Sequence, residues 1–149
     1  MREVSMGSLK VEGVTHWSIP VNNLEESEKF YGDLLGLKPL GRLGNAVMSC
    51  FNVGDHNILL CEREQPVSTS EVEQRVHHSF TVSPEMFVQA CKVFHEKKIP
   101  IVELHYRAKG YFTGRELYFH DPSGNRLELR DPSWKQGMPE PPFEEIVRS

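Results

Sequence analysis

The sequence predicts an α+β fold: two βαβββ modules in one chain whose sheets form a concave cavity. Two observations carry this. Hydrophobic periodicity reads as a strand, a helix and three strands over residues 11–62, and the same order returns over 76–131. The opening strands of the two copies also superpose, HWSIPV from His16 on HHSFTV from His77, with a histidine, a serine and two apolar residues at equal offsets.

In the first module VTHWSIPV (14–21) reads as a strand, and NNLEESEKFYGDLLG (22–36) reads as a helix. Asn23 caps the helix and Glu26 makes its start resemble a capping box. Leu24, Ser27, Phe30, Tyr31, Leu34 and Leu35 share one stripe, and Gly36 supplies the stop. LKPLGRL, AVMSCFNV and NILLCE follow as short strands. Residues 63–75 are polar, contain a proline and a Ser/Thr cluster, and read as a linker. VHHSFTV (76–82) restarts the pattern as a strand. Ser83 and Pro84 then open a helix whose Phe87, Ala90, Cys91, Val93 and Phe94 form the buried stripe, and Lys97, Lys98 and Pro100 end it. IVELHYR, RELYFHD and NRLELRD complete the second module. Residues 1–10 are an N-terminal extension. The Pro-rich tail, 132–149, is too irregular for another module, and its Trp134 and Phe143 are expected to anchor it over the body or a second subunit.

Composition narrows the partners. A chain of 149 residues buries roughly 70% of its unfolded surface, enough for one domain with a real core. With 17 Lys+Arg against 21 Asp+Glu, a net charge of −4 and no basic run, it lacks the electrostatic footprint of a nucleic-acid binder. No apolar stretch approaches the ~20 residues of a membrane span. Cys50, Cys61 and Cys91 form no CxxC pair, and the start lacks a signal-peptide apolar run, which leads to the expectation of a cytoplasmic protein with inert thiols.

Strand alternation then locates a candidate site. Ile19 and Val21 pack on the helix of their module, so His16 and Ser18 look the other way. By the same rule Phe80 and Val82 pack inward on their helix while His77 and Ser79 face the cavity. His78 points away, and with His56, His95 and His120 it reads as a surface or loop residue. In the last strand Leu127 and Leu129 pack, which turns Glu128, and Tyr118 beside it, toward the histidines. Two imidazoles and one carboxylate suit a divalent transition metal, and three protein ligands leave positions open for water or a small-molecule substrate. Tyr118 is a candidate proton or hydrogen-bond donor.

The duplicated unit, VTHWSIPVNNLEESEKFYGDLLGL near the start and ELYFHDPSGNRLEL near the end resemble the vicinal oxygen chelate superfamily, over residues 11 to 131. The superfamily includes glyoxalase I, extradiol dioxygenases, fosfomycin-resistance enzymes and bleomycin-binding proteins. The resemblance implies that His16, His77 and Glu128 are metal ligands for Fe, Mn, Zn or Ni. The fourth glyoxalase I ligand has no counterpart, because the matching position is Leu59. Leu117, Tyr118, Asp121, Pro122, Gly124 and Glu128 match half of the extradiol signature, but its additional histidine is missing; His105 is the nearest candidate and its register differs. Ser18, Tyr118 and the pair Gly114 and Arg115 match fosfomycin-resistance positions, with Arg115 and His105 as candidate substrate contacts. The reading that leads is extradiol-like chemistry on a bidentate oxygenated substrate. Its alternatives are fosfomycin-type epoxide hydrolysis or thiol transfer, a glyoxalase-like lyase or isomerase, and metal-free drug sequestration of the bleomycin type. A homodimer is expected, with the modules paired within one chain or by exchange between two.

Overall fold

A computed structural model describes residues 7–149, so most of the N-terminal extension lies outside the described residues. The first module runs β1 (His16–Val21), α1 (Leu24–Glu28), a π-helical continuation (Lys29–Leu34), β2 (Lys38–Leu43), β3 (Met48–Val53) and β4 (His56–Glu62). The second runs β5 (His78–Thr81), α2 (Pro84–Glu96), β6 (Ile101–Arg107), β7 (Gly114–His120) and β8 (Arg126–Asp131), and is followed by α3 (Phe143–Arg148). Two four-stranded sheets result, ordered β1-β4-β3-β2 and β5-β8-β7-β6. The strands that open the modules, β1 and β5, pair parallel to the strands that close them, and the remaining pairs are antiparallel.

Local chemistry accounts for the helices. The Asn23 side chain accepts from the Glu26 amide, and Ser83 does the same for Met86 with Pro84 in the first turn. The first helix departs from a regular α-helix after Glu28. Its widened turns bring the Leu35 amide to the Phe30 carbonyl and let Phe30 and Tyr31, adjacent in sequence, both be buried. Gly36 ends it with a positive φ of 77°, which glycine adopts without steric cost. The tail is more ordered than its composition suggests. Trp134 is buried against Tyr106, whose hydroxyl donates to the Pro141 carbonyl, and α3 buries Ile146. The arm therefore lies over the body of its own chain.

Both helices contribute to one core. Phe119 of β7 is in contact with Phe94 of α2 and Phe30 of the first helix, at ring-centroid distances of 4.7 and 6.3 Å. Ile19, Leu60, Phe87, Leu117 and Leu127 complete the same cluster. Cys91 lies within it, where burial pushes its thiol up to about 11, so it stays protonated and unreactive. The outer strands β2 and β6 are each broken by a bulge, between Pro39 and Gly41 and between Ile101 and Glu103.

The modules are also tied by a polar knot at the β7–β8 turn. Asp121 is 4% exposed, and its Oδ1 accepts from the amides of Ser123 and Asn125. Its Oδ2 accepts from the Tyr31 hydroxyl at 2.7 Å and from Asn125 Nδ2, which also donates to the Pro20 carbonyl. An Asp-Pro-Ser-Gly turn is thus joined to the first helix and to β1. Burial, with Asp121 beside it, raises the Tyr31 pKa well above its ordinary value, so the phenol remains a donor. Asp121→Ala strands several buried donors and should cost about 3 kcal/mol, against about 1 for Tyr31→Phe. Urea denaturation of the two variants beside wild type measures both.

Candidate metal centre

The face of the second sheet opposite the core carries the densest chemistry. His77 precedes β5, and the pairings Ser79↔Glu128 and Tyr118↔Glu128 bring β5, β8 and β7 to one point. His77 Nδ1 donates to the Arg75 carbonyl at 2.9 Å, which fixes the ring and aims Nε2 at the sheet face. Nε2 lies 3.2 Å from Glu128 Oε1. A lone-pair nitrogen and a carboxylate oxygen at that distance need a proton or a cation between them. The Tyr118 ring stands edge-on to His77 at 5.7 Å, and Arg126 lies over its face at 4.3 Å.

Glu128 is 3% exposed, and so is a second acid, Glu116. Glu116 Oε2 accepts from the Tyr118 hydroxyl at 3.1 Å and Oε1 from Arg107 Nε at 2.9 Å. Burial is the main cause that raises the Glu128 pKa, followed by its contact and charge repulsion with Glu116, while His77 and Ser79 act in the other direction. Tyr118 is pushed up to about 12, by burial first and then by the charges of Glu128 and Glu116.

The structure brings His77, Glu128 and Tyr118 together, beside a cleft of about 350 Å³ that His77, Tyr118 and Arg126 help to line. It does not bring His16 or Ser18 to them. Both are exposed on β1, and among the described residues no His, Cys, Asp or Glu cluster of three is placed to hold a metal. Ser18 lines a separate cleft of about 580 Å³ at the seam between modules, with His78, Asn125 and Arg126. His105 is exposed on β6 opposite Glu116. Arg115 lies on the other face: it donates to Asp131 and the Pro84 carbonyl and sits over the Phe87 ring, so it braces α2 against the sheet. The residue that sequence reading missed is Glu116. It lies two positions from Tyr118 in RELYFH, and the alternation that placed Glu128 places it too.

A family model for the Glyoxalase/Bleomycin resistance protein/Dioxygenase superfamily matches residues 13–129. The chain belongs to this superfamily. Its curated relatives include the metallothiol transferase FosB of Staphylococcus haemolyticus, 29% identical over 80% of this chain and 83% of that protein. Another is the glutathione transferase FosA of Serratia marcescens, 29% identical over 80% of each. A chlorohydroquinone/hydroquinone 1,2-dioxygenase of Sphingobium indicum is 28% identical over 79% of this chain but only 38% of its own length. Among solved structures, a mutant of the fosfomycin resistance protein FosX of Listeria monocytogenes, complexed with Mn(II) and a dihydroxypropylphosphonic acid, superposes with a TM-score of 0.68. It is 15% identical and covers 82% of this chain and 93% of that one. A glyoxalase/dioxygenase from Nostoc punctiforme gives 0.66 at 25% identity, over 85% and 98%. This superfamily member therefore shares its fold with proteins of several chemistries, and fold alone selects none of them.

Glu128 gives a pH test of the geometry. Its carboxyl holds a proton more tightly folded than unfolded, so its favourable contribution is present below the ordinary carboxylate pKa and is lost as pH rises through the folded value. In chelator-treated protein, Glu128→Gln should raise the urea midpoint above that of wild type at pH 7, with the gap closing toward pH 4. An equal gap at both pH values would show that Glu128 is not under this strain.

Proposed function

We propose that this protein is a divalent-metal-dependent enzyme acting on a small substrate held through two neighbouring oxygens, with His77 and Glu128 as ligands and His16 as the third. The observation that carries the reading is the facing pair of ligand-type atoms, His77 Nε2 and Glu128 Oε1, 3.2 Å apart and beside a second buried acid. Of the two buried carboxylates only Glu116 has a close guanidinium, that of Arg107, and a divalent cation would balance the remaining charge. Imidazole nitrogen with carboxylate oxygen fits Fe, Mn, Zn or Ni. Bound there, the cation would polarise a chelated oxygen and stabilise charge that develops on it.

His16 completes the set from a second copy of the chain. It is exposed on β1 away from His77 and Glu128, in a module that also exposes Trp17, Leu40 and Leu43. A homodimer that places β1 of one chain over β8 of the other supplies the third ligand and walls the cavity with both modules. Ser18 then enters the cavity beside His16, and Tyr118 lines the opposite wall and hydrogen-bonds the substrate. Oxygen-dependent opening of a catechol-like ring is the leading chemistry. It is supported by the run from Leu117 to Glu128 and the hydroquinone dioxygenase among the relatives. Thiol transfer to a phosphonate epoxide is the second reading, favoured by FosB and FosA, which match four-fifths of their own lengths.

Elemental analysis tests the metal centre. Wild type should take up about one metal per chain, and His16→Ala, His77→Ala and Glu128→Ala should each lose tenfold or more in affinity. Co-refolding His16→Ala with Glu128→Ala should restore part of the uptake that neither shows alone, since mixed dimers carry one intact site. A wild type that takes up no metal refutes the reading. Oxygen consumption with catechol, or thiol consumption with fosfomycin, separates the two chemistries.

A further inference from the structure

Glu116 has no place in the ligand set, yet it is as deeply buried as Glu128 and makes specific bonds. A phenol has one proton, and that of Tyr118 is directed to Glu116 Oε2; Arg107 occupies the other oxygen of the same carboxylate. A carboxylate only accepts, so with Glu116 in place the Tyr118 oxygen can offer the cavity lone pairs alone. The two guanidiniums nearest Tyr118 are also engaged. Arg107 pairs with Glu116, and Arg126 lies over the ring while donating to Glu103 at 3.1 Å.

We infer that Glu116 is a positioning residue for specificity: it holds Tyr118 as a hydrogen-bond acceptor toward the substrate, so the site selects a chelating ligand that still carries an O–H over a fully ionised oxyanion. The inference rests on the metal centre proposed above. A monoprotonated catechol, or another vicinal diol of that kind, can bring one oxygen to the metal and donate from the other to Tyr118. A phosphonate dianion brings an acceptor against an acceptor, which leaves a buried polar atom without a partner.

The test measures selectivity in zinc-loaded protein, where catechol binds without turnover. Calorimetry at about pH 9, where methylphosphonate is a dianion and catechol still carries an O–H, gives the two affinities, and their ratio cancels general effects on metal loading. In Glu116→Gln the amide oxygen faces Arg107 and its NH2 faces Tyr118, which then turns its own proton into the cavity. The catechol-to-methylphosphonate ratio should fall about tenfold. Tyr118→Phe should lower the ratio comparably, and adding Glu116→Gln to Tyr118→Phe should move it no further. An unchanged ratio in Glu116→Gln overturns the inference. A shift that persists in the Tyr118→Phe background also overturns it, because that is a plain charge effect. Wild type that loads no zinc would sink the metal centre itself, whereas loaded protein with an unmoved ratio sinks only the role of Glu116.

Discussion

Because the helices of both modules bury their apolar faces in a single core, each sheet commits one face inward and leaves the other for chemistry. Phe30, Phe94 and Phe119 meet at the centre of that core, and Asp121 fastens the modules beside it. Alternation along the strands does the rest. Leu117, Phe119, Leu127 and Leu129 face the helices, so Glu116, Tyr118 and Glu128 must lie on the opposite face. The site is thus a consequence of packing: the residues that stabilise the fold and those that carry its chemistry are interleaved one by one on the same strands.

This interleaving explains why much of the molecule was legible in its sequence. Period-two alternation identified the inward faces of β5, β7 and β8, although His78, read as a surface residue, is half-buried at the seam cleft with Ser18. Asn23, Ser83 and Pro84 announced the helix starts through caps that the structure contains. Other features depend on partners distant in sequence. Arg115 reads as a candidate substrate contact beside a glycine, but Asp131, Pro84 and Phe87 bind it on the core side. The order of the tail rests on Tyr106 and Trp134, which only the folded sheet brings together. The widened turns after Glu28 answer the bulk of Phe30 and Tyr31 in the shared core, and no local motif signals them.

The electrostatics of the second sheet set it apart from an ordinary buried polar patch. A structural network pairs its charges and satisfies its donors, as Asp121 does with the Tyr31 hydroxyl, Asn125 and two turn amides. Around Glu128 the balance is different: two acids lie side by side, one guanidinium serves Glu116, and Glu128 itself faces an imidazole nitrogen at 3.2 Å. Burying such an arrangement opposes folding, and proteins keep it where a ligand repays the cost.

The bulged outer strands bear on how copies of this chain can meet. A flat strand at the edge of a sheet invites another chain to pair with its free amides and carbonyls. Here β2 carries Pro39, a bulge, Lys38 and Arg42, and β6 is interrupted at Glu103, so neither of these two edge strands offers a continuous ladder. Growth of the sheets outward into fibres is thereby discouraged. The opening strands β1 and β5 carry no such interruption, and His16 and His77 stand on or beside them.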